Sequence, residues 1–101
     1  MTYVPPTKNA AFIMYCGLVS RANRPQFQAN PTLAAGDVKV SIDGGALTNI
    51  TTLPVVTPAS GDLVKVTLSA AEMNGDNVTV EFKDVAGTEW DDLVINIQTY
   101  S

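Results

Sequence analysis

The sequence predicts an all-β fold, an antiparallel sandwich of about seven strands. Three observations predict it. Val38-Lys39-Val40-Ser41-Ile42 alternates apolar and polar residues, and Val64-Lys65-Val66-Thr67-Leu68 and Val78-Thr79-Val80-Glu81-Phe82 repeat the alternation. Successive strand side chains point to opposite faces, so each segment has one face for a core and one for water. The first segment runs directly into Asp43-Gly44-Gly45, which supplies the positive φ angles of a tight reversal. Turn signals then recur along the chain at roughly 8–12-residue spacing, as in a sandwich.

A length of 101 residues allows one domain and one core. The net charge is −4, and the basic residues Lys8, Arg21, Arg24, Lys39, Lys65 and Lys83 are scattered. That is no footprint for nucleic acid, which requires clustered Lys and Arg. The lone Cys16 has no internal partner and reads as a small buried hydrophobe. The chain contains no His. This excludes Ser-His-Asp and Cys-His arrangements and the usual zinc ligand sets.

Residues 1–10 contain Pro5-Pro6 and are expected to form an extended N-terminal arm; residues 11–101 form the sandwich domain. The arm is expected to lie along a neighbouring subunit. The first strand covers about 11–20 and is apolar on both faces. Phe12, Met14, Cys16 and Leu18 share one face, and Ile13, Tyr15 and Val19 the other. A sandwich buries one of these faces, so the second requires cover from an arm, a loop or a neighbour. The run has the look of the apolar part of a secretory signal. However, Met1-Thr2-Tyr3-Val4 is a poor basic leader and Ser20-Arg21-Ala22-Asn23 a poor cleavage site. It is also far too short for a bilayer span. No membrane partner is expected.

Residues 21–37 are a long connection with turn residues Pro25, Pro31 and Gly36; Phe27 and Leu33 are placed to pin it. Strand 38–42 follows, then a weaker strand at about 46–53 that ends at Pro54, and a short piece at Val55-Val56. After strand 63–68, Ser69-Ala70-Ala71-Glu72 is a capping-box pattern and Gly75 a stop, which predicts one short helical turn with Met73 in the core. Strand 78–83 leads to the turn Asp84-Val85-Ala86-Gly87, and the last strand covers about 92–100. One core of Val40, Ile42, Val66, Leu68, Val80, Phe82, Ile95 and Ile97 follows. The arrangement is immunoglobulin-like in architecture, although the Cys-Trp-Cys signature is missing.

Few residues carry chemistry. Asp84, Glu89, Asp91 and Asp92 cluster near the last turn, yet their spacing matches no calcium loop, and they read as a solvated turn. No catalytic residue, cofactor or metal is expected. Trp90 is a core plug or an interface anchor, and the core is the commoner place for a single Trp in a small sandwich. Tyr3 and Tyr100 stand near the two ends as contacts with neighbours or as tails. The candidate subunit-contact residues are Tyr3, Pro5, Pro6, Ile13, Tyr15, Phe27 and Tyr100.

A group of local patterns also resembles a known family. These are Phe12 in its apolar strand, Asn30-Pro31-Thr32-Leu33-Ala34-Ala35-Gly36-Asp37-Val38-Lys39-Val40-Ser41, Asp43-Gly44-Gly45, Leu53-Pro54, Leu68-Ser69-Ala70 with Glu72-Met73, and Asp84, Gly87, Glu89-Trp90 and Asp92. Together, over residues 11–99, they are similar to a small β domain of tailed-bacteriophage virion proteins. That domain occurs alone or at the start of longer tail or fibre proteins. The resemblance implies a non-enzymatic structural protein of the virion, assembling on the capsid or the neck and tail. Its partners would be other capsid, neck or tail subunits, with a homo-oligomer in the particle. It carries over no catalytic residues. The alternative class is an adhesive module that recognises a host-surface sugar or protein; a secreted bacterial adhesion domain is a third reading.

Overall fold

The structure, a computed structural model, describes residues 6–85 and 87–100. Its strands are β1 (Phe12–Gly17), β2 (Val38–Ile42), β3 (Thr48–Asn49), β4 (Val55–Val56), β5 (Leu63–Leu68), β6 (Asn77–Phe82) and β7 (Leu93–Gln98). They form two antiparallel sheets, one in the order β1-β5-β4 and the other in the order β3-β2-β6-β7. The two sheets enclose one core, as the alternation predicts.

The registers show how the alternating sequence builds that core. Across the four-stranded sheet, Val38, Phe82 and Leu93 form one row, Val40, Val80 and Ile95 a second, and Ile42, Val78 and Ile97 a third. On the other sheet Phe12 pairs with Leu68, Met14 with Val66, and Cys16 with Val64. Val64, Val66, Leu68, Val78, Val80 and Phe82 are completely buried. Ile42 and Ile95, expected in the core, are half-buried and pack against it. Edge position accounts for a further pattern: Phe12, Met14 and Cys16 on β1 and Leu93 on β7 are also only half-buried.

Trp90 is the largest fully buried side chain. Its ring meets Phe82 edge to face, with centroids 6.5 Å apart and planes at 73°. Backbone ties set it there. Arg21 N donates to Glu89 O at 2.9 Å and Asp91 N to Val19 O at 2.9 Å, which joins the chain leaving β1 to the chain entering β7. At the other end of these strands, Lys8 N donates to Tyr100 O at 2.8 Å and Tyr100 N to Pro6 O at 3.1 Å.

This second tie corrects one expectation. Residues 6–9 pair with their own chain. They run parallel to the end of β7 through the Thr7–Tyr100 bridge, and Asn9 N donates to Met73 O at 2.9 Å. Pro6 is buried within its own chain. The segment is polar in its side chains, but its backbone groups satisfy the open end of a sheet. Tyr3 and Pro5 lie outside the described residues.

The capping box forms as its sequence predicts. Ser69 N donates to Glu72 Oε1 at 2.9 Å and Glu72 N to Ser69 Oγ at 3.2 Å. The segment nevertheless closes as a turn and not as a helix, with Met73 buried beneath it. Strand ends also recede: the first strand spans Phe12–Gly17, the third only Thr48–Asn49, and the last Leu93–Gln98. The Asp43-Gly44 reversal has φ of 50° and 76°, and Gly45 N donates to Ile42 O at 2.9 Å. Both central residues are thus left-handed, a conformation that Asp and Gly adopt more readily than most residues.

Two outcomes test this account. Phe82→Ala should cost about 3–5 kcal/mol in a denaturant titration, since it empties the centre of the core. A Cβ on Gly44 would meet nothing within 4 Å, so Gly44→Val is penalised by backbone conformation and not by crowding. That substitution should cost on the order of 1 kcal/mol or more; an unchanged denaturation midpoint would contradict the turn.

Candidate functional site

The outer face of the three-stranded sheet is apolar. Residues 64, 66 and 68 of β5 point inward, so Leu63, Lys65 and Thr67 point outward. On β1, Ile13 pairs with Thr67 and Tyr15 with Lys65; on β4, Val55 pairs with Lys65 from the other side. Gly17 pairs with Leu63, and a Cβ built on Gly17 would lie 2.8 Å from the Phe27 ring. Phe27 therefore lies over the outer side of Gly17 and extends the face begun by Ile13 and Tyr15. The missing side chain at Gly17 makes room for it. The Val19–Phe27 bridge holds the loop at that position. Ile13, Tyr15, Phe27, Val55 and Leu63 are each between 47% and 56% exposed. Lys65 stands among them, half-buried, with no ion pair among the described residues.

The opposite outer face has a different character. Ser41, Thr79 and Asn96 form one row there, and Lys39, Glu81 and the exposed Val94 form the next, Val94 being a lone large apolar side chain among polar ones. Thr79 Oγ1 donates to Asn96 Oδ1 at 3.2 Å, and Asn96 Nδ2 to Asn77 Oδ1 at 3.3 Å. That face is a polar lattice suited to water.

Of the sequence-derived contact residues, the structure gathers Ile13, Tyr15 and Phe27 on one surface. Tyr100 is exposed but stands at the end of the other sheet, beside Thr7. Sequence reasoning missed Val55 and Leu63. Leu63 was within reach, because the period that turns Lys65 outward turns Leu63 outward as well.

The acidic residues are engaged with their own chain. Asp84 and Glu89 line a cavity of about 370 Å³ together with Thr32, Ala34, Asp37 and Gly87; Asp91 and Asp92 lie outside it. Asp84 accepts from Gly87 N at 2.9 Å and from Glu89 N at 2.6 Å, while Glu89 accepts from Thr32 N at 2.9 Å. Asp37, which the sequence did not single out, is buried and accepts from Ala34 N at 3.0 Å and Val85 N at 3.3 Å. These carboxylates tie the 32–37 segment to the 84–89 turn by satisfying backbone donors. Asp91 is held by both nitrogens of the Arg24 fork, with Nε at 2.6 Å, and Arg21 approaches it at 3.6 Å. Among the described residues no group of three His, Cys, Asp or Glu side chains could hold a metal ion. Burial pushes the Cys16 thiol up to about 11, which leaves it protonated at neutral pH.

No family model, curated protein or solved structure matches this chain.

The Arg24 hydrogen bonds, aided by its charge, hold the Asp91 carboxyl below its ordinary range. A depressed carboxyl stabilises the fold above its unfolded pKa and loses that contribution as pH falls through the folded value. Wild type should therefore melt higher than Asp91→Asn at neutral pH, and the difference should vanish in acid. A gap that persists in acid would show that the pair is not its source.

Proposed function

We propose that this protein is a non-enzymatic structural protein of a tailed-bacteriophage virion. It assembles on the capsid or the neck and tail through the outer face of the β1-β5-β4 sheet. The observation that carries the reading is the contrast between the two outer faces: one is a hydrogen-bonded polar lattice, the other an apolar patch of five large side chains around Lys65. A contiguous apolar patch on a small domain marks a contact surface. Tyr15 and Phe27 add aromatic area of the kind enriched at interface cores.

The strand order supports an immunoglobulin-like identity for the domain. β1-β5-β4 facing β3-β2-β6-β7 corresponds to an immunoglobulin-like sandwich without its outermost first strand. Among the described residues the position beside β1 is then an open edge. β1 carries neither charge nor Pro, the usual devices that blunt an exposed edge. The edge adjoins the apolar face, so the contact surface is continuous across both. The resemblance of the local patterns to a tailed-phage virion domain suggests the setting.

The double substitution Ile13→Thr with Tyr15→Thr tests the reading. Threonine keeps strand propensity while removing apolar area. The variant should stay folded with a melting temperature close to wild type, and its incorporation into particles should fall sharply. Val94→Thr, on the polar face, serves as the control and should incorporate normally. Normal incorporation of the double variant would refute the assignment of this face.

A further inference from the structure

We propose that Asn74 is a self-modification site. Its side chain is converted by attack of the following backbone amide and by water into isoaspartate, and the conversion loosens the junction between the N-terminal segment and the end of β7. Asn74 is exposed and lies just past the Ser69–Met73 turn. It is followed by Gly75, and no other asparagine in the chain precedes a glycine. Glycine adds no side chain to crowd the attacking nitrogen, while Gly75 itself is buried with its carbonyl held by Thr99. Among the described hydrogen bonds, the Gly75 amide donates to no acceptor. The fold also keeps the glycine in place. A Cβ at this position would collide with Ile42 Cγ2 and lie 2.9 Å from Asp43 Oδ2. The reactive pair is thus a by-product of close packing between the turn and the β2 reversal.

The chemistry needs only water. The Gly75 nitrogen gives its proton to hydroxide and bonds to Asn74 Cγ; the bond from Cγ to Nδ2 breaks as Nδ2 takes a proton from the water so formed, and ammonia leaves with hydroxide regenerated. The product is a five-membered imide. Water then opens it. Addition at Cγ restores a normal backbone with aspartate. Addition at the main-chain carbonyl leaves the backbone running through Cβ and Cγ, which is isoaspartate.

The location makes the change consequential. On one side of Asn74, Met73 O accepts from Asn9 N at 2.9 Å. On the other, Gly75 O accepts from Thr99 Oγ1, and Asp76 O accepts from Thr99 N at 3.0 Å. Asp76 also pairs with Lys8 at 2.9 Å. An extra methylene in the chain between Met73 and Gly75 cannot preserve all of these anchors. The new carboxylate also arrives near Glu72 and Asp76 in sequence, and takes the chain one unit beyond its net charge of −4.

The test incubates the folded full-length chain in alkaline buffer and follows it by intact mass and peptide mapping, beside a free peptide spanning Ala70–Asn77. We expect Asn74 to gain one mass unit faster than every other asparagine, with isoaspartate as the main product. The converted protein, separated by anion exchange, should melt below the parent, and Asn74→Gln should show neither change. Retention of the Asn74 amide while the free peptide converts would overturn the site. Conversion with an unchanged melting temperature would overturn its role at the junction.

Discussion

The structure depends on one constraint: two small sheets must bury their apolar rows against each other around Trp90 and Phe82. Neither sheet can do this alone, because the inward apolar face of a single small sheet has nothing to shield it from water. The backbone ties at both ends of β1 and β7 fix how the sheets meet. At one end Val19 and Arg21 bond to the residues flanking Trp90; at the other, Pro6 and Lys8 bond to Tyr100. Placing the indole at the centre of the core is thus a consequence of main-chain pairing as much as of hydrophobicity.

The same logic explains the acidic turn. Residues 32–37 and 84–89 are loops that approach the core, and loops carry backbone donors that must be satisfied. Asp37 and Asp84 are buried because they meet those donors. Carboxylates that read in sequence as a solvated turn include the fastenings of a loop, with Asp84 buried. Arg24 and Asp91 do similar work closer to solvent.

The strands with strict alternation were legible in the sequence to within a residue: β2, β5 and β6 lie where the period of two places them. The Asp-Gly reversal was legible too, since its chemistry allows few geometries. What was not legible depended on pairing between distant segments. The polar residues 6–9 give no side-chain signal of docking, and only the unpaired end of β7 shows why they do so. The retreat of the first strand to Phe12–Gly17 follows from its partner, since β5 begins at Leu63 and the pairing ends at Gly17. The capping box was read correctly, but one hydrogen-bonded turn does not nucleate a helix. At the candidate surface, the doubly apolar first strand pointed to Ile13 and Tyr15. Phe27 joined them for a reason hidden in sequence, the empty space above Gly17. Val55 joined through a two-residue strand too short to carry a pattern.

Lys65 provides the most direct test, because it sits at the middle of the apolar face while Lys39 and Lys83 lie elsewhere. Amine labelling of the free protein and of the protein in its assembled particle would compare the three lysines within one molecule. The account predicts that Lys65 is modified in the free chain and protected on assembly, with Lys39 much less affected. Equal labelling of Lys65 in both states would contradict the claim that this face is where the protein makes its contacts.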